Sequence, residues 1–315
     1  MSEQTQPTAE LEDTHLDELE DTHLDELEDT HLAGPKILLE GPSGTGKSFA
    51  LGTLVDWAER NNQEVFILFT EQGGLETLLG YWRDTGVPPF NRKVWAPVPA
   101  CLHWHVLKTP AIGLDSLIDS AVRTGQLSYQ ALTQWTDSNR SRNNPWDAVL
   151  RTFSDFPCDR TKRKYGNVGQ WDNRRILIND SLSETANACF RMVLGSKTTA
   201  SQPEYGVAQQ NLLAWIRWMT QYLQCTFVMT AHVQRQVNEL TGVTSVMTKA
   251  IGKALGDEFA PLFSDVVLTV RESDRFYWDT AAPNVDLKTR YLPIRSKINP
   301  DFSQIMDRWL QRSGI

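Results

Sequence analysis

The residues most clearly suited to chemistry lie in one short glycine-rich segment. Residues 41–48, which read GPSGTGKS, match the pattern GxxxxGK[ST] at every defined position. The glycines let backbone N–H groups curl around a phosphate, the lysine neutralises phosphate oxygens, and the last hydroxyl is a ligand for Mg²⁺. We therefore predict that this P-loop binds ATP and Mg²⁺ through Gly41, Pro42, Ser43, Gly44, Thr45, Gly46, Lys47 and Ser48, with Ser48 on the metal and Lys47 also catalytic.

The elements around the P-loop are those that the motif requires. KILLE (36–40) predicts a buried strand, and apolar residues from Ser48 to Arg60 recur at helical spacing. VFILFT (65–70) predicts a second buried strand. Two strands flanking one helix form a βαβ unit, so the sequence predicts an α/β fold with a mainly parallel sheet.

Two acidic residues end predicted strands where a P-loop protein needs them. RILIND (175–180) ends in Asp180, whose carboxylate would hold Mg²⁺ through its water shell. Glu71 follows the second strand, where a carboxylate can align or deprotonate the water that attacks the γ-phosphate. Each residue has an alternative role as a cap of the helix that follows it.

A histidine ends a third buried strand. CTFVMTAH (225–232) predicts a strand that finishes at His232. The imidazole there could hydrogen-bond the γ-phosphate or the attacking water and report the state of the nucleotide to the adjoining loop. A structural histidine is the alternative.

These segments together resemble a known family. LLEGPSGTGKS, LINDSLS and FVMTAHV, with the strand end at Glu71 and the block LFSDVVLTV…FYWDT…DLKTRYLPI, resemble RecA-like phage ATPases, labelled phage nucleotide-binding or AAA-family proteins, which include single-strand-annealing recombinases. The resemblance covers residues 36–310. It implies a RecA-like fold, an oligomerising ATPase (ring or filament) and a role in phage DNA recombination or replication, with recombination proteins of the phage or host as further partners.

The resemblance also implies a contribution from a neighbouring subunit. RFYWDT (275–280) and LKTRYL (287–292) are candidate arms of a C-terminal β-hairpin. Lys288 and Arg290 resemble the basic pair that RecA-like subunits insert into a neighbour's active site, where a cation offsets charge on the transferred phosphoryl group. A solvated strand edge guarded by cations is the alternative.

Two segments are candidates for binding single-stranded DNA, because RecA-like proteins bind it through the loops that follow the strands ending at the Asp180 and His232 positions. They are residues 195–206 and 233–253, which carry small polar residues, isolated cations and one aromatic ring. The residues concerned are Lys197, Tyr205, Arg235, Lys249 and Lys253. Mobile surface loops have the same composition, so that alternative stays open.

Charge divides the chain into two parts. The chain has 31 basic and 39 acidic residues and a formal charge of −8, but residues 1–32 hold 12 of the acids and no Lys or Arg. The rest therefore has 31 basic and 27 acidic residues, about +4, which permits contact with nucleic acid. We predict a disordered acidic tail (1–33) built on the repeat LEDTHLDE, then an ATPase domain (34–315) with an inserted elaboration at about 80–170.

The chain has no sequence feature of a membrane protein. No stretch approaches the roughly 18 to 20 consecutive apolar residues that span a bilayer, and the N-terminus lacks the order of a signal peptide. We expect a cytoplasmic protein, in the bacterial host if a phage encodes it. The leading function is an Mg²⁺-dependent ATPase acting on single-stranded DNA. The alternatives are a nucleotide-gated binding or loading protein with little turnover, and a small-molecule kinase with the basic run 160–164 as its lid.

Overall fold

The structure is a computed structural model. It describes residues 32–71, 73–84, 96–107, 145–195, 200–237, 244–252 and 255–314, with isolated residues at 118, 122, 125, 126, 128, 197 and 242. The chain divides into two compact units, one formed by residues 33–309 and the other by residues 1–32 with 310–315. The predicted disorder of the acidic repeat lies outside the described residues, and the predicted domain boundary at 33/34 stays a prediction.

A mainly parallel seven-stranded sheet forms the centre of the larger unit. The strands in chain order are β1 (Lys36–Glu40), β2 (Glu64–Phe69), β3 (Leu102–Val106), β4 (Arg175–Asp180), β5 (Thr226–Ala231), β6 (Val233–Val237), β7 (Thr244–Thr248), β8 (Asp265–Glu272) and β9 (Arg275–Asp279). Their order across the sheet is β3-β2-β4-β5-β1-β8-β9, and only β9 runs antiparallel to its neighbour. β6 and β7 form a separate antiparallel hairpin.

Helices cover both faces of this sheet, which confirms the predicted α/β fold class. They are α1 (Lys47–Arg60), α2 (Gly74–Arg83), α3 (Pro145–Ser154), α4 (Leu182–Leu194), α5 (Gln202–Gln221) and α6 (Ser303–Ser313). α3, α4 and α5 pack on one face against Leu38, Phe66 and Phe227 of the strands. Side chains alternate along a strand, so Ile37 and Ile67 point to the opposite face, where α1 and α2 pack together.

The strands read as continuous apolar runs because both of their faces are buried. All five residues of β1 and all six of β5 are buried. Asn179 interrupts the apolar run of β4, but its amide donates to Thr185 Oγ1 at 3.1 Å, so its burial leaves this donor satisfied.

Irregular segments cover both edges of the sheet. At the β3 edge, Asp159 donates its N–H to Trp104 O at 2.7 Å and accepts from Val106 N at 2.8 Å. At the β9 edge, Trp278 and Ile298 exchange two backbone hydrogen bonds of 2.8 Å. The backbone groups at these positions are therefore paired within the chain.

The C-terminal hairpin differs from the prediction. The prediction paired residues 275–280 with 287–292, whereas the hairpin consists of β8 and β9, joined by a tight turn at Ser273, where φ is +54°. Residues 287–292 are irregular and form one β-bridge with β8, from Lys288 to Val266. Asp265 stabilises this segment, because its Oδ1 accepts from the backbone N–H groups of Arg290 and Tyr291.

The other sequence predictions vary in outcome. The apolar spacing of residues 207–223 predicts a helix, and α5 begins earlier, at Gln202, because Ser201 and Glu204 form a capping box there. The sequence also predicts a short strand near 94–98, but residues 96–98 are not in a strand. It predicts further helices at 113–124 and 128–137, which apart from isolated residues lie outside the described residues. Among the helices described, none has both the length and the apolar composition to cross a membrane.

We predict opposite effects for two glycine substitutions in helices. A Cβ on Gly52 of α1 would lie 2.2 Å from Cγ of Tyr81, whose ring is held by a hydrogen bond to Asp56. Gly52→Ala should therefore lower the free energy of unfolding by about 1–3 kcal/mol in urea titrations. Gly206→Ala in α5, where a Cβ meets open space, should raise it by up to about 1 kcal/mol. Equal effects of the two substitutions would contradict the tight α1–α2 contact.

Candidate functional site

The P-loop ends in a helix N-terminus that has no cap from the protein. Gly46 is the N-cap of α1 with φ of 83°, a left-handed conformation that favours glycine. No side chain caps α1, and its first turn holds no acidic residue. The N–H groups of the first turn have no partner within the helix, and the helix dipole adds positive potential there. This end of α1 therefore suits an anion.

Close packing explains two of the P-loop glycines. A Cβ on Gly41 would lie 2.1 Å from Thr269 Oγ1 of β8, and a Cβ on Gly46 would lie 3.2 Å from the ring of Phe276 on β9. Gly41 also donates its N–H to Ala231 O of β5 at 3.1 Å. The loop is thus fixed by β5 on one side and the β8–β9 hairpin on the other, while Pro42, Ser43 and Gly44 remain exposed.

Lys47 places its ammonium group inside the P-loop. The Nζ atom donates to Gly41 O and Pro42 O, both at 2.8 Å, and the residue is buried. Burial lowers the pKa of Lys47, and the charges of Asp180 and Glu71 act in the opposite direction. A phosphate group in the loop would supply the anionic partner that this ammonium group lacks among its two carbonyl contacts.

Ser48 and Asp180 come together as the sequence predicts for a Mg²⁺ site. Ser48 Oγ donates to Asp180 Oδ2 at 2.8 Å, and Thr230 of β5 donates to the other carboxylate oxygen. A hydroxyl and a carboxylate are the oxygen ligands that Mg²⁺ prefers, so these residues fit the metal. Burial raises the pKa of Asp180. The N-cap of α4 is Ser181, so the alternative role of Asp180 as this cap is wrong.

Glu71 and His232 also meet at this edge of the sheet. His232 Nε2 lies 3.1 Å from Glu71 Oε1, and the hydroxyl of Ser181 donates to the same oxygen. The hydrogen bond from His232 is the main cause of the lowered pKa of Glu71, which burial opposes. The N-cap of α2 is Gly73, so the alternative role of Glu71 as this cap is wrong. The Glu71 carboxylate therefore caps no helix, and the contacts with Ser181 and His232 hold it in one orientation.

Lys288 and Arg290 lie away from the P-loop of their own chain. Lys288 Nζ donates to Pro261 O at 3.0 Å, and the backbone of Arg290 is held by Asp265, the first residue of β8. Asp265 pairs with Ile37, near the start of β1, whereas the P-loop follows the end of β1. The predicted placement of both cations on a strand is wrong, because no ladder partner faces residues 287–292 beyond the single bridge. Their predicted role in a neighbouring subunit stays a prediction.

The described residues of the predicted DNA segments belong in part to regular elements. Lys197 forms an ion pair with Glu204 at 2.5 Å, and the ring of Tyr205 lies 4.8 Å from that of Phe190. Residues 233–248 contain the β6–β7 hairpin, with Arg235 exposed on β6 and Lys249 exposed just after β7. Lys253 lies outside the described residues. Arg235 and Lys249 are therefore the described cations of these segments that suit contact with DNA.

The basic run 160–164 lies along the β3 edge of the sheet. Arg160 donates to Pro99 O at 2.6 Å and to Leu102 O at 3.1 Å, next to the start of β3. Lys164 forms an ion pair with Asp155 at 2.7 Å. Because three strands separate β3 from β1, the strand that leads into the P-loop, this run is not placed to act as a lid over bound ATP.

Sequence reasoning missed four residues of this site. Ser181 and Thr230 hold the two carboxylates, and Glu40 and Thr248 form a hydrogen bond directly beneath the P-loop. A signal existed for Thr230 and Glu40, because each is a polar residue in an otherwise apolar strand. Thr248 had none, since its partner is 208 residues away in sequence.

Glu40 is a buried carboxyl group at the end of β1. Only 1% of its surface is exposed, and Oε2 accepts from Thr248 Oγ1 at 2.6 Å. Burial raises its pKa to about 7; the hydrogen bond from Thr248 opposes this shift and the charge of Asp286 adds to it. The folded protein therefore keeps this carboxyl protonated at pH values where the unfolded chain has lost the proton.

This difference predicts a pH-dependent stability. The stabilisation from the Glu40 proton is complete below the ordinary pKa of 4.5 and is lost as pH rises through about 7. Glu40→Gln stays neutral, so its free energy of unfolding relative to that of the wild type should be about 3 kcal/mol higher at pH 8 than at pH 4.5. Urea titrations across this range measure it. The exposed Glu76→Gln should follow the wild-type profile, and parallel curves for Glu40→Gln and the wild type would contradict the raised pKa.

Comparison with known proteins finds similarity in solved structures only. No family model and no curated protein matches the chain. One similar structure is a prototypical ATPase from the type III secretion system of pathogenic bacteria, with 14% identity, 76% of this chain and 53% of that chain covered, and a TM-score of 0.32. Another is the flagellar accessory protein FlaH from Methanocaldococcus jannaschii, with 10% identity, 81% of each chain covered and a TM-score of 0.33. The chain thus spans about half the length of the secretion ATPase.

Proposed function

We propose that the protein is a RecA-like ATPase that binds ATP and Mg²⁺ at residues 41–48 and hydrolyses the γ-phosphate. The observation that carries the proposal is the convergence of the uncapped N-terminus of α1, the buried ammonium group of Lys47 and the Ser48–Asp180 pair. The strand order adds support. β5 lies between β1 and β4, which leaves Glu71 and Asp180 together on one side of the P-loop.

Each residue has a distinct part in the proposed reaction. The first-turn N–H groups of α1 and the ammonium group of Lys47 bind the β- and γ-phosphate oxygens and offset their charge. Ser48 and Asp180 would hold Mg²⁺, which supplies charge neutralisation between the phosphates. Glu71 orients the attacking water and accepts its proton.

The contacts of Glu71 fit a carboxylate that holds the attacking water in place. Its lowered pKa leaves it ionised and able to accept a hydrogen bond from water, and Ser181 and His232 both engage Oε1. Oε2 makes neither of these two contacts. His232 lies between β5 and β6 and contacts Glu71. A change at the γ-phosphate that moves Glu71 would therefore reach the β6–β7 hairpin through the His232 side chain.

Substitution of Glu71 tests the reaction. Glu71→Gln keeps the shape of the side chain but removes the base, so ATP should bind as in the wild type while phosphate release falls by about 10²-fold or more. Lys47→Ala should instead lose ATP binding. Fluorescent-nucleotide titration and phosphate release measure the two quantities. A wild type that binds ATP with no turnover in any assembly state would contradict hydrolysis and favour the nucleotide-gated binding protein.

We further propose that the protein uses the free energy of ATP hydrolysis to act on single-stranded DNA. It would do so as an oligomer, in phage recombination or replication in the cytoplasm of a bacterial host. Support comes from the family resemblance and from the exposed cations Arg235 and Lys249, on and beside the β6–β7 hairpin, which begins directly after His232. Lys288 donates to Pro261 O, and the backbone of Arg290 is held by Asp265, which pairs with the start of β1, so we propose that these cations act at the P-loop of a neighbouring subunit.

Salt dependence of DNA binding tests this second proposal. Each backbone phosphate contact contributes about 0.7 to the slope of log affinity against log salt for single strands, so Arg235→Ala should lower that slope by about 0.7. Arg174→Ala should leave it unchanged, because this residue is 81% exposed but lies before β4, at the other end of the sheet. Fluorescence anisotropy with an oligothymidylate measures both. Absence of binding at low salt would contradict a DNA partner.

A further inference from the structure

One buried hydrogen bond joins the P-loop strand to the β6–β7 hairpin. Glu40 is the last residue of β1 and immediately precedes Gly41, whose carbonyl binds Lys47. Its side chain accepts from Thr248, the last residue of β7, and its carbonyl accepts from Thr269 Oγ1 of β8 at 3.0 Å. The entrance to the P-loop is therefore held from β8 through the backbone and from the hairpin through a side chain.

The same end of the hairpin is tied to the other side of the site. Lys249 donates its N–H to His232 O at 2.7 Å, and His232 contacts Glu71. Thr248 and Lys249 are consecutive, so two neighbouring residues connect the base of the hairpin to Glu40 and to His232. The hairpin cannot shift at its base without changing at least one of these contacts.

We propose that Glu40 and Thr248 are positioning residues through which the β6–β7 hairpin sets the conformation of the P-loop. The reason is the cost of an unsatisfied buried carboxyl group. If the hairpin moves and takes the hydroxyl away, Glu40 must find water or another donor, and it can do so only by moving the strand end that continues into Gly41. The hairpin and the P-loop thus change together, and the role in nucleotide binding rests on the proposed function.

The position of the Glu40–Thr248 hydrogen bond favours a role in coupling the hairpin to the P-loop over a role in stabilising the fold. A buried polar pair adds little stability over apolar side chains of the same shape, but it allows one arrangement only. Here Leu39 beside Glu40 and Met247 beside Thr248 are themselves buried, so neither element depends on this bond for its burial. The bond adds a fixed register between them at the residue next to the P-loop.

Hydrogen exchange in the nucleotide-free protein tests the coupling. Thr248→Val keeps the shape of the side chain and removes the donor, so the amide of Gly41, which Ala231 O protects, should exchange about tenfold faster than in the wild type. This is the size expected for a lost hydrogen bond to a buried carboxyl group. Thr244→Val, on the exposed start of the same strand, should leave this exchange unchanged. Unchanged P-loop exchange in Thr248→Val would overturn the proposal.

A conservative variant and a nucleotide separate this proposal from the proposed function. Glu40→Gln keeps an acceptor for Thr248 and should retain wild-type exchange, which also guards against a folding defect as the cause. With Mg²⁺ and the non-hydrolysable adenosine β,γ-imidotriphosphate, hairpin amides 233–237 and 244–248 should gain protection in the wild type and not in Thr248→Val. An equal gain in both would overturn the coupling. A wild type that binds no nucleotide would sink the ATPase proposal, while the nucleotide-free exchange still decides the coupling.

Discussion

The parallel alignment of β1, β2, β4 and β5 is the constraint on which the candidate site depends. Because these strands run in one direction, the residues that follow them emerge at the same edge of the sheet. The register pairs Phe69 with Asp180 and Glu40 with Ala231. Four segments far apart in sequence therefore deliver a glycine loop, two carboxylates and an imidazole to one place.

Bringing these segments together buries charged side chains, and a bound ligand can offset the free energy that this burial costs. Burial lowers the pKa of Lys47 and raises that of Asp180, so each group is less stable in its charged form than in water. Their hydrogen bonds to carbonyl and hydroxyl groups offset part of this cost. Phosphate and a divalent cation would bring opposite charges into direct contact with Lys47 and Asp180, which would make the site more stable when occupied than when empty.

Sequence reasoning recovered the centre of the fold and of the site for identifiable reasons. β1, α1, β2, β4 and β5 carry strong apolar patterns, and the P-loop motif has fixed spacing, so their bounds agree with the structure within a few residues. Glu71, Asp180 and His232 were placed because each ends such a strand. The pairing of β8 with β9 was missed because the turn at 273–274 is Ser-Asp, without the glycine that usually marks a two-residue turn. The β6–β7 hairpin was missed because its strands are short, polar and partly exposed.

The covered edges of the sheet restrict how copies of this chain can assemble. Trp104 and Val106 at one edge and Trp278 at the other already have backbone partners within the chain. At these positions a second subunit finds no free row of N–H and C=O groups on which to continue the sheet. At these positions, extension of the central sheet by a second copy is therefore blocked, whereas contacts through side chains or along the separate β6–β7 hairpin would leave the paired edges undisturbed.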